Sequence, residues 1–561
     1  MVKPDRIGGD NRDVHDRAPG LLRNGVTAVL ALAFLAGIFL PVYADEVGWR
    51  FQERAGIDGV DKLFSDICGP NTLAVPPLFM MPVRYFSAYM NLAFADPFYV
   101  RISGILYALL WLAMLLALFR RIAVERRDQA VLGLLGIGLM GLANMPLLLV
   151  WSRPEQPILL TLTASLILAF QRERGEAEAS AGTAWLRSLV ILFLATIAVS
   201  YHLKALVLVP AYLACLWLAS PGRAARLPRL LASGALVAVA GFGAHYWLHR
   251  LQCPADPELQ KMFARQNIGA YLSAVDGFSA LLVLIGKMLR NIDLWQYLAL
   301  SLPSNKPMSD WLPAGQVSPT ARFVWGAFVF SCWGIAAIFA ALGLVHGVKR
   351  CLHRRSPDPR VILALLLLAA AAGWCATQVT RNVYEATFVV PLLMLAFVFA
   401  IAAKPADEGG GGLRDRVAMA LGVAAMVSIV LTGLQWRPAL TRSNAQSGYI
   451  AEQPYSVSVF GYGRLEPQIF GAARKCGIGT PEAARALLID DLTYFPFMAS
   501  KLPQNRLGVF GIWRGTIRDP VAYLKSRGSG GMIVGCHIMP KRLRDRARRE
   551  GAFCCLGPPD W

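Results

Sequence analysis

The segment GVTAVLALAFLAGIFLPVYADE, residues 25–46, determines how the rest of the chain is interpreted. No charged residue interrupts it from Gly25 to Val42, and a helix needs about 20 such residues to cross the hydrocarbon layer of a membrane. The segment ends on two adjacent carboxylates, Asp45 and Glu46. It therefore predicts a first membrane span with an acidic pair at its edge.

The composition of the whole chain agrees with a protein that crosses the membrane many times. Of 561 residues, 55% are hydrophobic and 16% are charged, and the mean hydropathy is +0.46. These values exclude an ordinary soluble globular protein. Lys and Arg (56) exceed Asp and Glu (36). In a membrane protein such an excess more often sets loop topology than binds nucleic acid, so no nucleic-acid partner is expected.

Eleven apolar runs predict transmembrane helices. They lie near residues 22–43, 98–119, 129–150, 157–170, 184–200, 203–219, 229–248, 322–346, 360–378, 386–403 and 416–434. The run at 157–170 is short and must include flanking residues. The segment 271–295 is apolar but carries charges, which predicts an interfacial or re-entrant helix.

Basic residues predict the orientation of these spans, because loops rich in Lys and Arg stay cytoplasmic. The basic loops are 120–128, 171–179, 220–229, 346–360 and 403–416. With eleven spans, the C-terminus then lies on the opposite, extracytoplasmic side of an inner or plasma membrane. Three large segments share that side: 44–97, 249–321 and 435–561. The first run also imitates a signal peptide with a cleavage site after Val42-Tyr43-Ala44, but its length favours a retained span.

The last external segment differs from the rest of the chain. Short apolar runs alternate there with helical stretches, which predicts an extracytoplasmic α/β domain over 435–561, following a transmembrane catalytic domain over 1–434. The glycines of GYGR (461–464) lack the context of a phosphate-binding loop. Four cysteines fall in this segment, and an oxidising compartment predicts at least one disulfide among them: Cys476, Cys536, Cys554 and Cys555.

The acidic pair opens a short amphipathic stretch, ADEVGWRFQERAGIDG (44–59), in which Glu46 and Arg50 share a helical face. Two carboxylates beside a span are common, so a charged helix cap explains the pair equally well on this stretch alone. The residues that follow favour a catalytic role. They include Arg50 with the nearby Glu53, a Pro76-Pro77-Leu78 element, and Arg101 at the start of the second span.

This ordered set resembles the membrane glycosyltransferases of the GT-C class, in particular the protein O-mannosyltransferases and the lipid A aminoarabinose transferases. The resemblance covers about 70 residues, and the remainder is similar only in topology. It implies a GT-C-like fold and a polyprenyl-phosphate sugar as donor. It also implies Asp45 as the general base of an inverting transfer, with Glu46 assisting. Val75 stands where these families usually have a Lys before Pro-Pro-Leu, so a donor-phosphate contact must come from elsewhere.

The chemistry of such a transfer agrees with these residue types. A carboxylate must accept the proton of the acceptor hydroxyl, and a cation must stabilise the departing phosphate. Charged and polar side chains beside the spans are candidates for the phosphate: Arg50, Arg153, His202, Lys204, Arg381 and Tyr384. Arg153 ranks first because a guanidinium binds phosphate in a bidentate manner. Any single one of these cations could instead extend to lipid headgroups.

Other properties stay open at this level. No obligatory cofactor is predicted, although a divalent metal is possible and Asp58, Asp61 and Asp66 follow the pair. The partners expected are the lipid-linked donor, the bilayer, and a glycan, lipid or protein acceptor. A transporter or lipid flippase is an alternative class, and so is a polymerase or ligase that uses a lipid-diphosphate glycan.

Overall fold

The computed structural model describes residues 10–43, 45–48, 96–123, 125–171, 180–250, 277–291, 318–354, 358–377, 383–404, 411–445, 456–480, 487–497, 512, 517–526 and 528–560. The α-helices of this part of the chain are α1 (Asp10–Ala36), α2 (Pro97–Ile122), α3 (Arg126–Met140), α4 (Met145–Leu148), α5 (Glu155–Ala169), α6 (Ala181–Tyr201), α7 (Val209–Ala219), α8 (Arg226–Arg250), α9 (Gly277–Asn291), α10 (Pro319–Arg354), α11 (Pro359–Thr377), α12 (Ala386–Ala402), α13 (Gly411–Ala445), α14 (Glu466–Lys475), α15 (Pro520–Ser526) and α16 (Lys541–Arg544). Three 3-10 helices matter below: Gly37–Phe39 after α1, Leu203–Leu208 before α7 and Val383–Glu385 before α12.

Helices long and apolar enough to cross a membrane dominate the described residues. Seven meet both criteria: Ala18–Phe39, Pro97–Ile122, Ala181–Tyr201, Arg226–His245, Pro319–His353, Pro359–Thr377 and Gly412–Arg437. Three shorter apolar helices accompany them: Glu155–Ala169, Leu203–Ala219 and Ala386–Ala402. Every residue of α12 is buried, so this helix lies inside the bundle. The multi-pass helical class is thus confirmed, whereas the count of eleven spans stays a prediction.

The predicted span 129–150 is not one continuous helix. α3 ends at Met140, and α4 begins only at Met145. Between them Ala143 has a positive φ of 55°. Its backbone N–H donates to Ser428 Oγ at 2.8 Å, and its carbonyl accepts from Thr432 Oγ1 at 3.2 Å. Hydroxyl groups of α13 therefore satisfy the backbone that the break releases, as an apolar environment requires.

The segment 271–295 is described only over α9. Apolar residues of α9 such as Phe278 and Leu289 are exposed. Its last residue, Asn291, is buried and donates through Nδ2 to the carbonyl oxygen of Cys375 in α11 at 2.9 Å. The predicted helix is therefore present and docked on the bundle. Its position relative to the membrane surface stays a prediction.

A four-stranded mixed sheet occupies the C-terminal part of the chain. Its strands are β3 (Leu487–Ile489), β4 (Gly531–Gly535), β5 (Arg548–Glu550) and β6 (Phe553–Leu556), in the order β3-β4-β6-β5. β3 and β4 are parallel, and the other pairs are antiparallel. Alternate residues of the inner strands enter two separate apolar clusters, one on each face of the sheet. Strands and helices both occur among the described residues of this region, although residues 548–550, predicted as helix, form β5. The predicted strand at 506–513 lies almost wholly outside the described residues, and the α/β domain with its boundary at 435 stays a prediction.

Two disulfides join this sheet to its surroundings, so the prediction of at least one is confirmed. Cys476 bonds Cys555, and Cys536 bonds Cys554. Cys554 and Cys555 are neighbours on β6, where successive side chains point to opposite faces. One bond therefore fastens each face of the sheet.

A two-stranded ladder connects the end of the first apolar helix to the C-terminal part of the chain. β1 (Val42–Tyr43) pairs antiparallel with β2 (Ser456–Val457). Val42 and Val47 are buried in the same apolar cluster as Val457 and Ile469. The acidic pair of the opening segment therefore lies where the helical bundle meets the sheet.

Candidate active site

The first helix ends in a way that fixes the acidic pair. A 3-10 turn, Gly37–Phe39, follows α1, then comes β1, and residues 45–48 are helical. The two carboxylates have different environments, because the side chain of Asp45 is 38% exposed and that of Glu46 is 0% exposed. The two adjacent carboxylates therefore differ, with Asp45 partly exposed and Glu46 buried.

Glu46 is a buried acceptor that joins three segments. Its Oε2 accepts from the backbone N–H of Tyr43 at 2.8 Å and from Arg101 Nη2 at 2.9 Å. Its Oε1 accepts from the backbone N–H of Ser152 at 2.7 Å. The carboxylate is therefore fully engaged in holding the turn after α1 against α2 and the loop before α5.

Arg101 completes that junction from α2. Besides Glu46, its guanidinium donates to three carbonyl oxygens: those of Leu40 at 3.2 Å, Pro41 at 2.6 Å and Val150 at 2.8 Å. Its side chain is wholly buried. A charge so placed needs these partners to offset the loss of hydration.

Asp45 faces a second arginine. Arg153 Nη1 donates to Asp45 Oδ2 at 2.8 Å. Its Nε and Nη2 donate to the two oxygens of Glu155, each at 3.2 Å. The ring of Tyr384 covers the guanidinium with its centroid 4.2 Å from Cζ. The side chain of Arg153 is only 4% exposed, so the protein encloses it almost completely.

Lys204 continues the series of charges behind Arg153. Its Nζ pairs with Oε1 of Glu155 and lies 2.8 Å from Oε2 of Glu385. The indole N–H of Trp374 donates to the same oxygen of Glu385 at 2.6 Å. Asp45, Arg153, Glu155, Lys204 and Glu385 thus form one connected ion chain. It joins the turn after α1 to the segments before α5, α7 and α12.

Proton affinities at the site follow from this arrangement. Burial alone lowers the pKa of Arg153, but the carboxylates of Glu155 and Asp45 outweigh it and hold that pKa well above its ordinary value. Burial, reinforced by Asp45 and Glu385, raises the pKa of Tyr384 well above its ordinary value. Burial and the charge of Lys204 lower the pKa of His202 to about 3. Arg153 is therefore cationic at neutral pH, and Tyr384 and His202 are neutral.

His202 is held as a neutral ring. Its Nδ1 accepts from the backbone N–H of Lys204 at 3.0 Å, which requires an unprotonated nitrogen there. Its ring packs edge-on against Trp374 with centroids 6.1 Å apart. Its observed contacts therefore fix the backbone that carries Lys204.

The structure brings together six of the eight residues that the sequence suggests for the site: Asp45, Glu46, Arg153, His202, Lys204 and Tyr384. Arg50 and Arg381 lie outside the described residues. The roles proposed for all eight stay predictions. Glu155 and Glu385 were not anticipated. The sequence could have predicted both carboxylates. A buried cation beside a span needs a counter-charge, and Glu155 and Glu385 each adjoin an apolar run.

A metal site is not evident in the part of the chain that the structure describes. No group of three or more His, Cys, Asp or Glu side chains is suitably placed there. Glu46, Glu155 and Glu385 direct oxygens at cationic side chains. Asp58, Asp61 and Asp66 lie outside the described residues, so metal dependence stays an open prediction.

Comparisons with known proteins give fold neighbours only. No protein-family model and no curated protein matches the chain. Among solved structures, the Archaeoglobus fulgidus oligosaccharyltransferase, in complex with Zn and sulfate, is similar at 12% identity and a TM-score of 0.42. The alignment covers 91% of this chain and 68% of that one. ArnT from Cupriavidus metallidurans, bound to undecaprenyl phosphate, is similar at 12% identity and a TM-score of 0.46, and the alignment covers 96% of this chain and 98% of that one.

Proposed function

We propose that this protein is a membrane glycosyltransferase. It moves a sugar from a polyprenyl-phosphate donor to an acceptor hydroxyl at the extracytoplasmic surface, and the anomeric carbon is inverted. One observation carries the proposal: Asp45, whose side chain is 38% exposed, is the exposed end of an ion chain whose two cations, Arg153 and Lys204, are 4% and 2% exposed. A carboxylate held in one orientation at the edge of the bundle is suited to accept a proton from a substrate that arrives from water.

Asp45 is the general base in this proposal. It accepts the hydroxyl proton while that oxygen attacks the anomeric carbon, and the polyprenyl phosphate leaves from the opposite side of the sugar. The lipid tail stays among the apolar helices, which keeps the sugar at the level of the acidic pair. Glu46 supports the turn that presents Asp45, because its oxygens are engaged by Tyr43, Ser152 and Arg101.

Arg153 is assigned to orienting Asp45. Its Nε, Nη1 and Nη2 all donate to the carboxylates of Glu155 and Asp45. Lys204 is paired with the carboxylates of Glu155 and Glu385. The charges of these two cations are thus compensated before any substrate binds. Arg50 and Arg381 remain candidates for the contact with the departing phosphate.

The extracytoplasmic orientation is supported by the disulfides. Such bonds persist in oxidising compartments, and two of them lie in the C-terminal sheet. The β1–β2 ladder and its apolar cluster join the Asp45 turn to that part of the chain. Asp45 and the disulfides therefore belong on one side of the membrane.

The test is transfer and donor binding by purified protein in nanodiscs. Sugar-linked polyprenyl monophosphate and diphosphate are supplied separately. Asp45→Asn keeps the size of the side chain but removes the base, so turnover should fall by about 10² to 10⁴ while donor affinity stays within a few fold. Arg153→Ala should likewise reduce turnover more than donor affinity. Asp519→Asn, at an exposed helix cap where Asn serves as well as Asp, is the matched control.

Three results would contradict the proposal. Near-normal turnover by Asp45→Asn would leave the acidic pair as a helix cap. Transfer from the diphosphate donor alone would favour a lipid-diphosphate polymerase or ligase. Movement of a lipid or solute across the nanodisc or a vesicle without any transfer would favour a flippase or transporter.

A further inference from the structure

We propose that Glu155 is a positioning residue for the transfer reaction. It clamps the guanidinium of Arg153 and shares its charge, so that Asp45 is oriented without being fully neutralised. The inference rests on the proposed function for its catalytic meaning. Its structural content concerns only how charge is divided among Asp45, Arg153 and Glu155.

The clamp is defined by two hydrogen bonds and one aromatic contact. Both oxygens of Glu155 accept from Arg153, through Nε and Nη2 at 3.2 Å each, and a bidentate pair of this kind fixes the guanidinium plane. Tyr384 covers the face of that plane. Only the Nη1 edge then points toward Asp45. The orientation of Arg153 is therefore set from the buried side.

Glu155 is itself fixed. It is the first residue of α5, where the helix dipole stabilises a carboxylate. Lys204 pairs with it and is in turn held by Glu385. These contacts come from the segments before α7 and α12, so Glu155 cannot follow Arg153 if Arg153 moves. Lys204 and Glu385 thus hold the clamp in place from the segments before α7 and α12.

Charge sharing gives the clamp its second consequence. Among the described residues, the charged and titratable groups around Asp45 fall into three sets. Arg153, Tyr384 and Tyr43 lie next to it, and Glu46 and Arg101 form the adjacent junction. Glu155, Lys204, His202 and Glu385 lie behind Arg153. Arg153 divides its charge between two carboxylates. Without the charge of Glu155, Arg153 binds Asp45 more strongly and Asp45 becomes a weaker base.

Three variants separate charge sharing from a structural role. Glu155→Gln has the same shape and removes the charge, and Glu155→Asp keeps the charge on a shorter side chain. Asp415→Asn is the matched control. Asp415 is a buried carboxylate paired with Arg127 and Arg414 at the start of α3 and α13. It is separated from the site by α3, whose 15 residues rise roughly 22 Å.

The first measurement needs no substrate. Dicyclohexylcarbodiimide reacts with protonated carboxyl groups, and mass spectrometry gives labelling at Asp45 as a function of pH. Glu155→Gln should lower the pH of half-maximal labelling by on the order of one unit, as expected when a neighbouring negative charge is removed at an effective dielectric constant of about 20. Glu155→Asp and Asp415→Asn should leave it within a few tenths of a unit of the original protein.

The second measurement is the pH–rate profile of transfer. Glu155→Gln should lose about tenfold or more in kcat, with the donor KM within a few fold and the acidic limb displaced to lower pH. An unmoved labelling midpoint in Glu155→Gln overturns the inference, as does an equal displacement in Asp415→Asn. A displaced midpoint in a protein without transfer activity supports the clamp and refutes the proposed function instead.

Discussion

Replacing Arg101 tests whether the junction around Glu46 holds the site together. In Arg101→Met the side chain stays unbranched and apolar, but it is shorter and loses every donor. Three carbonyl oxygens, those of Leu40, Pro41 and Val150, lose a hydrogen bond. Glu46 keeps the N–H groups of Tyr43 and Ser152 but loses its counter-charge.

The size of the effect follows from complete burial. Removing one partner of a buried ion pair costs about 3–5 kcal/mol, because the remaining charge is left without compensation. The double variant Arg101→Met/Glu46→Gln contains neither charge. It should therefore be destabilised by less than the sum of the two single variants, with an interaction energy of about 1–3 kcal/mol.

The assay is the free energy of unfolding from SDS titration in mixed micelles, followed by tryptophan fluorescence. Arg360→Met is the matched control, because Arg360 also bonds a carboxylate and a backbone carbonyl but its side chain is 30% exposed. Its loss should be about 0–1 kcal/mol. An Arg101→Met protein as stable as Arg360→Met, or strictly additive single variants, would refute the argument.

Three further predictions concern other parts of the structure. A Cβ at Gly104 would lie 2.0 Å from the carbonyl oxygen of Val150, so Gly104→Ala should displace the turn before Arg153 and lower transfer activity, whereas Gly234→Ala, with open space around it, should not. Non-reducing peptide mapping should recover the pairs Cys476–Cys555 and Cys536–Cys554. By the entropy of closing a longer loop, loss of Cys476–Cys555 should cost about 4.5 kcal/mol of stability and loss of Cys536–Cys554 about 3 kcal/mol. Free thiols at these four cysteines in unreduced protein would contradict the pairing. The pKa of His202 is about 3 in the folded protein and about 6.5 when unfolded, so the unfolded state binds the extra proton and stability falls as pH decreases from 6.5 toward 3. His202→Gln should reduce the slope of the unfolding free energy against pH by up to about 1.4 kcal/mol per pH unit between pH 3 and 6.5. The measurement is the unfolding free energy of both proteins across that range. An unchanged slope would contradict the lowered pKa of His202.

The sequence predicts the members of the site better than their partners. Asp45, Arg153 and Lys204 stand out because charge beside hydrocarbon is costly and rarely accidental. Sequence position does not show that Asp45 contacts Arg153, since the two are 108 residues apart. Glu155 and Glu385 were missed because only positively charged side chains were considered as contacts of a substrate phosphate. A buried cation without a counter-charge is unstable, so carboxylates near Arg153 and Lys204 should have been expected as well.

The break between α3 and α4 shows a second limit of the sequence. Asn144 is the only polar side chain beside Ala143 in an otherwise apolar run from 130 to 150 that hydropathy reads as one span. The interruption depends on Ser428 and Thr432, which reach it from a helix far along the chain. Pro146, in the first turn of α4, was the local sign that one helix ends and another begins.

Pairing of cysteines illustrates a rule that the sequence could have supplied. Adjacent residues on a strand face opposite sides of the sheet. Once β6 is recognised as a strand, the partners of Cys554 and Cys555 must therefore lie on opposite faces of the sheet. Which partner each takes depends on the register of β4 and β6 and on the packing of α14. Those are tertiary properties that no local pattern contains.

The β1–β2 ladder has a consequence for biogenesis. Val42 and Tyr43 leave the ribosome early, whereas their partners Val457 and Ser456 follow α13, near the end of the chain. During synthesis the turn that carries Asp45 therefore lacks its supporting strand until the apolar helices have been made. A chain truncated after α13 would contain those helices without the strand that holds the turn.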